Sequence, residues 1–372
     1  MSIQHKIELP GWIEYFLIPL LNLLMAFLLT GVVVYYAGEN PLDVFISLVQ
    51  GAFGTVEGTG YTLYYTTNFI FTGLAVAMAF HCGLFNIGGE GQTYVAGLGV
   101  LLVCLWLNDF SLWVVFPAAV LTAAIFGGLW AFIPGWLQAK RGSHVVITTI
   151  MFNYLATALI NYLLVDVLIA PNQQSPQSRA IASHLELPLM QNILGFFGFQ
   201  TGYSPLNISF FLALFCCFIF WLLIWKMKFG YELRVMNQGE KVAKYAGIPP
   251  AGIIISAMVI SGMFAGLMAI NSIMGEHHRL IIEFTNGAGF VGIAVALMGR
   301  NHPIGIIVAA LLFGALYQGG SEMAFDFPGL SRDMIIVIQG LIVLFCGALE
   351  NIFKPSLAKL VLKSHVARVK TE

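Results

Sequence analysis

The chain has 372 residues, of which 59% are apolar and only 9% are charged, and its mean hydropathy is +0.85. Soluble domains carry roughly 25% charged residues, so this composition excludes a soluble enzyme or binding module and indicates an integral membrane protein. The formal net charge of −1 gives no information about orientation in the membrane, because that depends on where each charge lies along the chain and not on the sum. All five cysteines lie in or at the ends of apolar runs, without the spacing of a disulfide framework or a zinc site.

A helix that crosses a bilayer needs about 20 mostly apolar residues, and windows of that length recur along the chain. They predict an all-α integral membrane protein with about ten transmembrane helices, in a single integral domain over 1–372 with its transmembrane core at 10–350. The windows lie near 14–36, 62–82, 93–108, 112–137, 144–168, 206–227, 250–271, 286–299, 303–318 and 332–350. The eighth and ninth are short and are separated by Asn301-His302-Pro303, so they are either half-length helices or a tight hairpin.

The positions of the basic residues predict the orientation of these helices. With a cytoplasmic amino terminus, every Lys and Arg lies on the cytoplasmic side except Arg179, Arg279 and Arg332. Cytoplasmic segments are the ones enriched in Lys and Arg, so both termini are expected in the cytoplasm, including a basic tail at 351–372. The first apolar run is too long for a signal-peptide core and no small-residue cleavage site follows it, so we expect it to remain as a transmembrane helix.

One long segment is predicted outside the membrane on the far side. Residues 169–205 are interrupted by prolines and contain too little apolar surface for an independent domain. We expect an external cap with one interfacial helix near 187–199.

A glycine-rich polar stretch, Phe85-Asn86-Ile87-Gly88-Gly89-Glu90-Gly91-Gln92, separates two long apolar runs. Irregular backbone that carries a charge persists in a membrane only where protein or water satisfies it. The stretch is therefore either part of a transport path or a cytosolic hairpin turn. At a helix centre the Glu90 carboxylate would cost roughly 2.5–3.5 kcal/mol, so we expect it to cap the backbone N–H groups near Gly91, Gln92 and Thr93 rather than to contact a substrate.

The cytoplasmic segment 228–249 also has a distinct pattern. Helix-forming residues lie on both sides of Asn237-Gln238-Gly239, and Gly247 followed by Pro249 is a helix stop. The pattern predicts two short helices joined by a turn. They either bind a soluble partner through an accessible face or form an ordinary charged linker; the accessible side chains would be Tyr231, Val235 and Met236.

Three segments together resemble the permease subunits of ATP-binding-cassette (ABC) importers, in the branched-chain amino acid, sugar and nucleoside permease family. Residues 83–92 and 289–305 are typical of the nucleoside and simple-sugar branch, and the loop 230–247 is similar to the coupling region that docks on the ATPase. In that loop the family commonly has Leu-Arg-Ala-Val-Gly-x-Asn, whereas here Leu233-Arg234 is followed by Val235-Met236-Asn237-Gln238-Gly239. Gly and Asn both tolerate positive φ, so a turn is still expected.

The resemblance implies an importer in the bacterial cytoplasmic (inner) membrane. Two permease chains, the second often a different one, would form the pore, and cytoplasmic ABC ATPase subunits would bind their coupling helices. A periplasmic or lipid-anchored solute-binding protein would deliver the substrate, a nucleoside. This chain would bind no cofactor and have no catalytic residues, because Mg-ATP would belong to the ATPase; it has no Gly-x-x-x-x-Gly-Lys-Ser/Thr sequence of its own.

Polar residues on helix faces are the candidates for substrate contact. Asn153 and Asn161 lie eight residues apart and Asn68 and Thr72 four apart, so each pair shares a helical face. Such faces either line a pore or bond to a neighbouring helix, and a nucleoside needs amide partners as well as aromatic rings for stacking. The predicted substrate pathway consists of Asn68, Thr72, Asn86, Gln92, Asn153 and Asn161. The predicted ATPase-coupling residues are Tyr231, Glu232, Arg234, Met236, Asn237 and Gly239.

Other functions have less support in the sequence. A sugar or branched-chain amino acid permease of the same family is the nearest alternative. An ion-coupled secondary transporter usually needs buried pairs of acidic and basic groups, which the predicted helices lack, and no cluster of catalytic groups suggests a membrane enzyme. His277-His278 lacks a third metal ligand. Gly262-x-x-x-Gly266 permits close helix packing, either within the subunit or between permeases.

Overall fold

The protein is helical throughout the part of the chain that the structure describes. The structure, a computed structural model, describes residues 17–170, 173–196 and 202–327, together with 337, 340–341 and 344. Within these residues the pairing of extended backbone is limited to isolated antiparallel bridges, Ile169 with Ser178, Gln177 with Ile281, and Leu189 with Asn207. The predicted all-α class is confirmed.

The helices are numbered in chain order. They are α1 Ile18–Tyr36, α2 Pro41–Phe53, α3 Val56–His81, α4 Gly89–Trp106, α5 Leu112–Arg141, α6 Val145–Tyr162, α7 Met190–Phe196, α8 Ser209–Trp221, α9 Lys228–Asn237, α10 Glu240–Tyr245, α11 Pro250–Ala269, α12 Ala288–Met298 and α13 Pro303–Asp326. Three of them continue as π-helical turns, α6 at Leu163–Val167, α8 at Leu222–Lys226 and α11 at Ile270–His277.

Six helical segments of the described residues are long and apolar enough to cross a membrane. They are Val56–His81, Leu112–Arg141, Val145–Val167, Ser209–Lys226, Pro250–His277 and Pro303–Met323. A bent pair, Leu24–Tyr36 with Pro41–Phe53 at 117°, is a possible seventh span. The count of ten stays a prediction, because α12 has only 11 residues and most of the window 332–350 lies outside the described residues, as does the tail 351–372.

The sequence windows missed α2, for a reason that its composition makes clear. With 13 residues it is too short to give a spanning window. Asp43, Ser47 and Gln50 recur along it at helical spacing, so the helix has a polar face.

Two compact units divide the chain. One consists of Met1–Leu48 with Gly320–Glu372, and the other is Val49–Gly319. In the first unit the rings of Phe27 and Phe45 meet edge to face with centroids 4.9 Å apart, and the Ser47 hydroxyl donates a 2.6 Å hydrogen bond to the Asp326 carboxylate. The second unit contains all of the features described below.

Within Val49–Gly319, α3 and α11 form the interior and α5 and α6 form the periphery. The most apolar windows of α3 and α11 are 83% and 72% buried, whereas those of α5 and α6 are 33% and 22% buried. Large apolar side chains on the outer faces are exposed, for example Leu121, Ile125 and Ile147. In a bilayer such faces contact lipid, so the polar chemistry of this unit is expected around α3 and α11.

Small residues let α5 and α11 approach each other closely. A Cβ added at Gly262 would lie 2.3 Å from the carbonyl oxygen of Gly127, and one at Gly266 would lie 2.4 Å from that of Ala123. Contact of backbone with backbone is possible only where side chains are absent. Of the two alternatives for the Gly262-x-x-x-Gly266 spacing, the structure therefore has the contact within the subunit.

We expect Gly262→Ala to lower the thermal stability of the purified protein. The added methyl group meets backbone rather than a movable side chain, and overpacking of this kind costs about 1–3 kcal/mol. The chain has 7 tryptophans, so the fluorescence melting curve is a suitable measurement.

Gly252→Ala in the same helix is the matched control. A Cβ at Gly252 would only touch a ring carbon of Pro249 at 4.0 Å, so its melting temperature should be unchanged or slightly higher. Equal melting temperatures for the two variants would contradict the close approach of α5 and α11.

Candidate functional site

The break between α3 and α4 is shorter than the sequence predicts. The helix α3 ends at His81 and α4 begins at Gly89, so Glu90 and Gln92 lie in the first turn of α4 and the break comprises residues 82–88. The predicted break at 85–92 was therefore placed too late. The windowed hydropathy was misleading here, because the polar first turn of a helix has the same composition as a loop.

The Glu90 carboxylate is the centre of the site. It is only 9% exposed. Its Oε1 accepts hydrogen bonds from the Thr285 hydroxyl and from the Gly287 backbone N–H at 3.1 Å, and its Oε2 accepts one from the Gly289 N–H at 2.8 Å. These donors precede or begin α12, so Glu90 caps α12 from across the structure.

Capping was predicted, but the predicted donors were wrong. Gly91 donates its backbone N–H to the Asn153 side chain at 2.9 Å instead, and the Gln92 N–H belongs to α4 itself. Glu90 reaches α12 because the starts of the two helices touch: a Cβ on Gly289 would lie 2.3 Å from the Glu90 backbone nitrogen. Two positive helix ends converge there, and a carboxylate is the group that stabilises both.

A sharply bent segment brings α12 to Glu90. Glu283 and Asn286 have φ values of 58° and 46°, in the left-handed region that few non-glycine residues adopt. Gly287 follows at φ 74°. Clusters of such residues mark positions that the surrounding structure holds in place, often at functional sites.

Side-chain amides fasten the break to its neighbours. The Asn86 Nδ2 donates to Gln92 Oε1 at 3.1 Å and to the Ser261 hydroxyl at 2.8 Å, and its Oδ1 accepts from the Gly88 N–H at 2.8 Å. The Asn153 Nδ2 donates to the Ile87 carbonyl at 2.9 Å. In this conformation the amides of three predicted pathway residues thus serve helix–helix contacts, and their contact with a substrate stays a prediction.

Two further pathway residues are not among the described residues that line the cavity discussed below. Thr72 is fully buried, and its hydroxyl donates to the Asn68 backbone carbonyl at 3.2 Å. Its side chain packs directly against Gly292 of α12. Asn161 lies on the peripheral helix α6, where its Oδ1 has no hydrogen-bond partner among the described residues.

The sixth predicted pathway residue, Asn68, lines a cavity between α3, α11, α13 and the start of α12. Aromatic and polar side chains form its wall: Tyr64, Tyr65, Asn68, Phe69, Glu276, Phe284, Thr285, Asn286, Ala288 and Tyr317. The Tyr317 ring lies 5.7 Å from that of Tyr65 and 5.0 Å from that of Phe69. The cavity therefore offers aromatic faces beside amide and carboxylate groups.

A buried amide, Asn271, fixes the polar side of the cavity. Its Oδ1 accepts from Asn207 Nδ2 at 2.8 Å and from the Ser209 hydroxyl at 2.7 Å, and its Nδ2 donates to Asn68 Oδ1 at 2.8 Å. Because Asn68 uses its oxygen there, only its NH₂ group can make further contacts, and the Tyr64 hydroxyl is one of its partners. The Tyr64 hydroxyl donates to Glu276, which also lines the cavity.

Sequence reasoning missed most of this wall. Tyr64, Tyr65, Glu276 and Tyr317 come from three distant parts of the chain, and no spacing rule connects them. One sign was present: Tyr61-Thr62-Leu63-Tyr64-Tyr65-Thr66-Thr67-Asn68 is unusually polar for the interior of a spanning helix. Intramembrane polar residues of this kind face a cavity or another helix.

The described residues contain no cluster of three or more His, Cys, Asp or Glu side chains that would hold a metal ion. His277 lies beside Glu276, with its Nε2 3.5 Å from the Glu276 Oε2. The His278 Nε2 lies 3.8 Å from the Glu186 Oε2. The two histidines thus pair with different carboxylates.

The segment 228–249 forms the two short helices that the sequence predicts, α9 and α10. Tyr231 is 56% exposed, and Lys228 lies 3.4 Å from Glu232 one turn away. Met236 is only 8% exposed, so its predicted accessibility was wrong: with Leu233 it forms the face of α9 that packs inward at helical spacing.

The segment 228–249 contacts the turn after α8 and the break after α3. Arg234 donates to the Ile224 carbonyl, and a Cβ on Gly83, in the break, would lie 2.9 Å from the Asn237 side-chain oxygen. Nearby, the His81 Nε2 lies 3.0 Å from the Asn301 carbonyl in the turn between α12 and α13. The helix α9 thus contacts the break after α3, and the end of α3 in turn contacts the turn that follows α12.

Interrupted helices around an aromatic and polar cavity are typical of membrane proteins that transport solutes. The family model described as "Branched-chain amino acid transport system / permease component" matches residues 58–346, so the chain belongs to this family. The resemblance seen in the three sequence segments is confirmed.

Curated relatives extend along almost the whole chain. "Guanosine ABC transporter permease protein NupP" of Bacillus subtilis is 35% identical over 90% of this chain and 94% of its own length. "Nucleoside ABC transporter permease protein NupB" of Lactococcus lactis is 30% identical, over 88% of this chain and 90% of its own. "Glucose ABC transporter permease protein TsgB13" of Haloferax volcanii is 28% identical, over 93% and 90%. The first two organisms each have a second, more distant match, NupQ at 27% and NupC at 24% identity.

We expect Glu90→Ala to destabilise the protein by about 3 kcal/mol or more, since three buried donors lose their acceptor and each unsatisfied group costs about 1–3 kcal/mol. Glu90→Gln keeps one acceptor oxygen but turns an NH₂ group toward a backbone N–H. Its stability should therefore lie between those of the wild type and Glu90→Ala. Thermal melting of the purified protein measures both.

Asp109→Asn provides the control, because Asp109 is an exposed carboxylate in the loop before α5. Surface changes of this kind stay within about 0.5 kcal/mol. A melting curve for Glu90→Ala that matched the control would disprove the capping role.

Proposed function

We propose that this chain is the permease subunit of an ATP-driven importer for nucleosides and that the cavity around Asn68 belongs to its translocation pathway. The cavity carries the proposal, because it combines aromatic faces with amide and carboxylate groups beside the buried helix α3. Its volume in this conformation is about 20 Å³, so the helices must move apart to admit a nucleoside. A nucleobase stacks on aromatic rings whatever its sequence of donors and acceptors. The relatives named for guanosine and nucleosides support the same class of substrate.

The pathway residues divide into two groups in this proposal. Asn68 contacts the solute through its NH₂ group. Asn86, Gln92 and Asn153 hold the break in register and reach the solute only in a conformation in which their present hydrogen bonds have opened. Thr72 and Asn161 belong to the surrounding helices.

A sugar is the second candidate substrate, favoured by the relative named for glucose. A branched-chain amino acid fits the cavity less well. Its ammonium group could pair with Glu276, but the described residues of the wall include no Lys or Arg to pair with its carboxylate. An ion-coupled transporter has the support of no relative named above.

The partners follow from the family. We propose an ABC ATPase subunit that holds Mg-ATP, a second permease of different sequence, and a solute-binding protein on the outside. The pairs NupP with NupQ and NupB with NupC, each within one organism, support a second permease. The family favours the bacterial cytoplasmic membrane. The basic residues of the sequence favour an orientation with both termini, and the segment 228–249, in the cytoplasm.

Alternating access would be driven from that segment. When the ATPase closes on ATP, α9 and α10 move, and the contacts of Asn237 with Gly83 and of His81 with Asn301 would transmit the movement to α3 and α12. The helix α12 has 11 residues and is therefore about 16 Å long. A shift at its Asn301 end moves its other end, which carries the Glu90 junction beside the cavity.

We expect Tyr231→Ala to weaken co-purification of the ATPase. Tyr231 is a large side chain that is 56% exposed on α9, and loss of a buried aromatic contact at an interface costs more than about 1 kcal/mol, or roughly fivefold in affinity. Tyr203→Ala is a matched control, because Tyr203 is equally exposed at 56% but belongs to the segment predicted to be external. Equal losses of ATPase in the two variants, or a loss only with Tyr203→Ala, would contradict the proposal.

We expect cells that lack this chain to lose uptake of labelled guanosine, and the intact chain to restore it. Unlabelled nucleosides should compete with that uptake, and glucose or leucine at the same concentration should not, because neither has an aromatic base to stack in the cavity. Competition by glucose alone would favour the second candidate, and uptake that persists without the ATPase subunit would refute an ATP-driven importer.

A further inference from the structure

We propose that Glu276 binds the ribose hydroxyls of the permeating nucleoside and that the Tyr64 hydroxyl occupies this carboxylate while the cavity is empty. This rests on the proposed function, since it assigns a residue to a part of the nucleoside. The pair lies between α3 and the π-helical turn that follows α11.

The geometry leaves half of the carboxylate available. The Oε2 of Glu276 accepts the Tyr64 hydroxyl and lies 3.5 Å from the His277 Nε2. No hydrogen bond reaches the Oε1 from any residue in the described ranges, and the Glu276 side chain is 27% exposed in the cavity wall. A carboxylate has about four acceptor sites, so the group can accept more hydrogen bonds than the protein supplies.

A pair of sugar hydroxyls is the partner that this arrangement fits. Adjacent hydroxyls donate two parallel O–H bonds, and a carboxylate accepts them with its two oxygens. A hydroxyl from Tyr64 already forms one such bond, so a substrate hydroxyl that replaced it would preserve the same chemistry. Charge-assisted hydrogen bonds of this type are stronger than neutral ones.

The rest of the wall is consistent with this orientation of the solute. The rings of Tyr65, Phe69 and Tyr317 are close to one another and form the surface on which a base would stack. None of the described residues that line the cavity is Lys or Arg. A neutral nucleoside therefore matches the site, whereas a phosphate group would meet Glu276 with no cation to offset its charge.

The plain alternative is that Glu276 only satisfies the buried Tyr64 hydroxyl. Tyr64 is 2% exposed, and a buried hydroxyl needs a partner. In that case removal of either partner would affect every substrate alike. A role in ribose binding predicts instead an effect that depends on the sugar hydroxyls of the substrate.

The test compares uptake of guanosine and 2′-deoxyguanosine in cells that contain all partner subunits, as Vmax/KM for each. The solute-binding protein is the same in every strain, so its own preference cancels when variants are compared. We expect Glu276→Gln to reduce the preference for guanosine by about tenfold, the equivalent of one charge-assisted hydrogen bond. Glu186→Gln, which removes a carboxylate that pairs with His278 outside the cavity wall, should leave the preference unchanged.

Tyr64→Phe is the second variant, and it tests the proposal even if the Glu276→Gln protein does not assemble with its partner subunits. It removes the competing hydroxyl and leaves the carboxylate, so the preference for guanosine should be kept or increased. The proposal is overturned if Glu276→Gln retains the wild-type preference, or if Tyr64→Phe loses it. Absence of guanosine uptake in the wild type would overturn the proposed function itself, and the ribose assignment with it.

Discussion

The buried carboxylate of Glu90 determines how the interrupted helices of this protein meet. It lies where α4 and α12 both begin, and it accepts hydrogen bonds from Thr285, Gly287 and Gly289. Removal of such a charge from water costs several kcal/mol, and three charge-assisted hydrogen bonds of about 1.5–3 kcal/mol each are of the size needed to offset it. The junction therefore contributes little net stability, and its value lies in permitting one arrangement of the two helix starts.

That arrangement connects the cavity to the rest of the unit. Thr285 belongs both to the junction and to the cavity wall, so a displacement of α12 changes the cavity directly. The opposite end of α12 leads into the turn whose Asn301 carbonyl meets His81. One short helix thus has the carboxylate at one end and the contact with the end of α3 at the other.

The sequence predicted the polar break, the two helices α9 and α10, and the need for Glu90 to cap backbone groups. These features are local: glycine, a charged side chain in an apolar run, and helix-stop residues each have a meaning over a few positions. The donors to Glu90 were not predictable in this way, because they follow it by almost 200 positions in the chain. The same limit applies to the cavity, where Asn68 was identified and its neighbours Glu276 and Tyr317 were not.

The sequence by itself determined that the protein lies in a lipid bilayer, that it is helical and that it belongs to this family. These properties depend on composition and on motifs that are contiguous in the chain. Tertiary structure decided which polar groups remain free. Asn86, Gln92 and Asn153 look like ligands when read along a helix, yet their amides are occupied by neighbouring helices. The physical reason is that a buried polar group must find a partner, and only the packing of distant helices determines whether that partner is the protein or the solute.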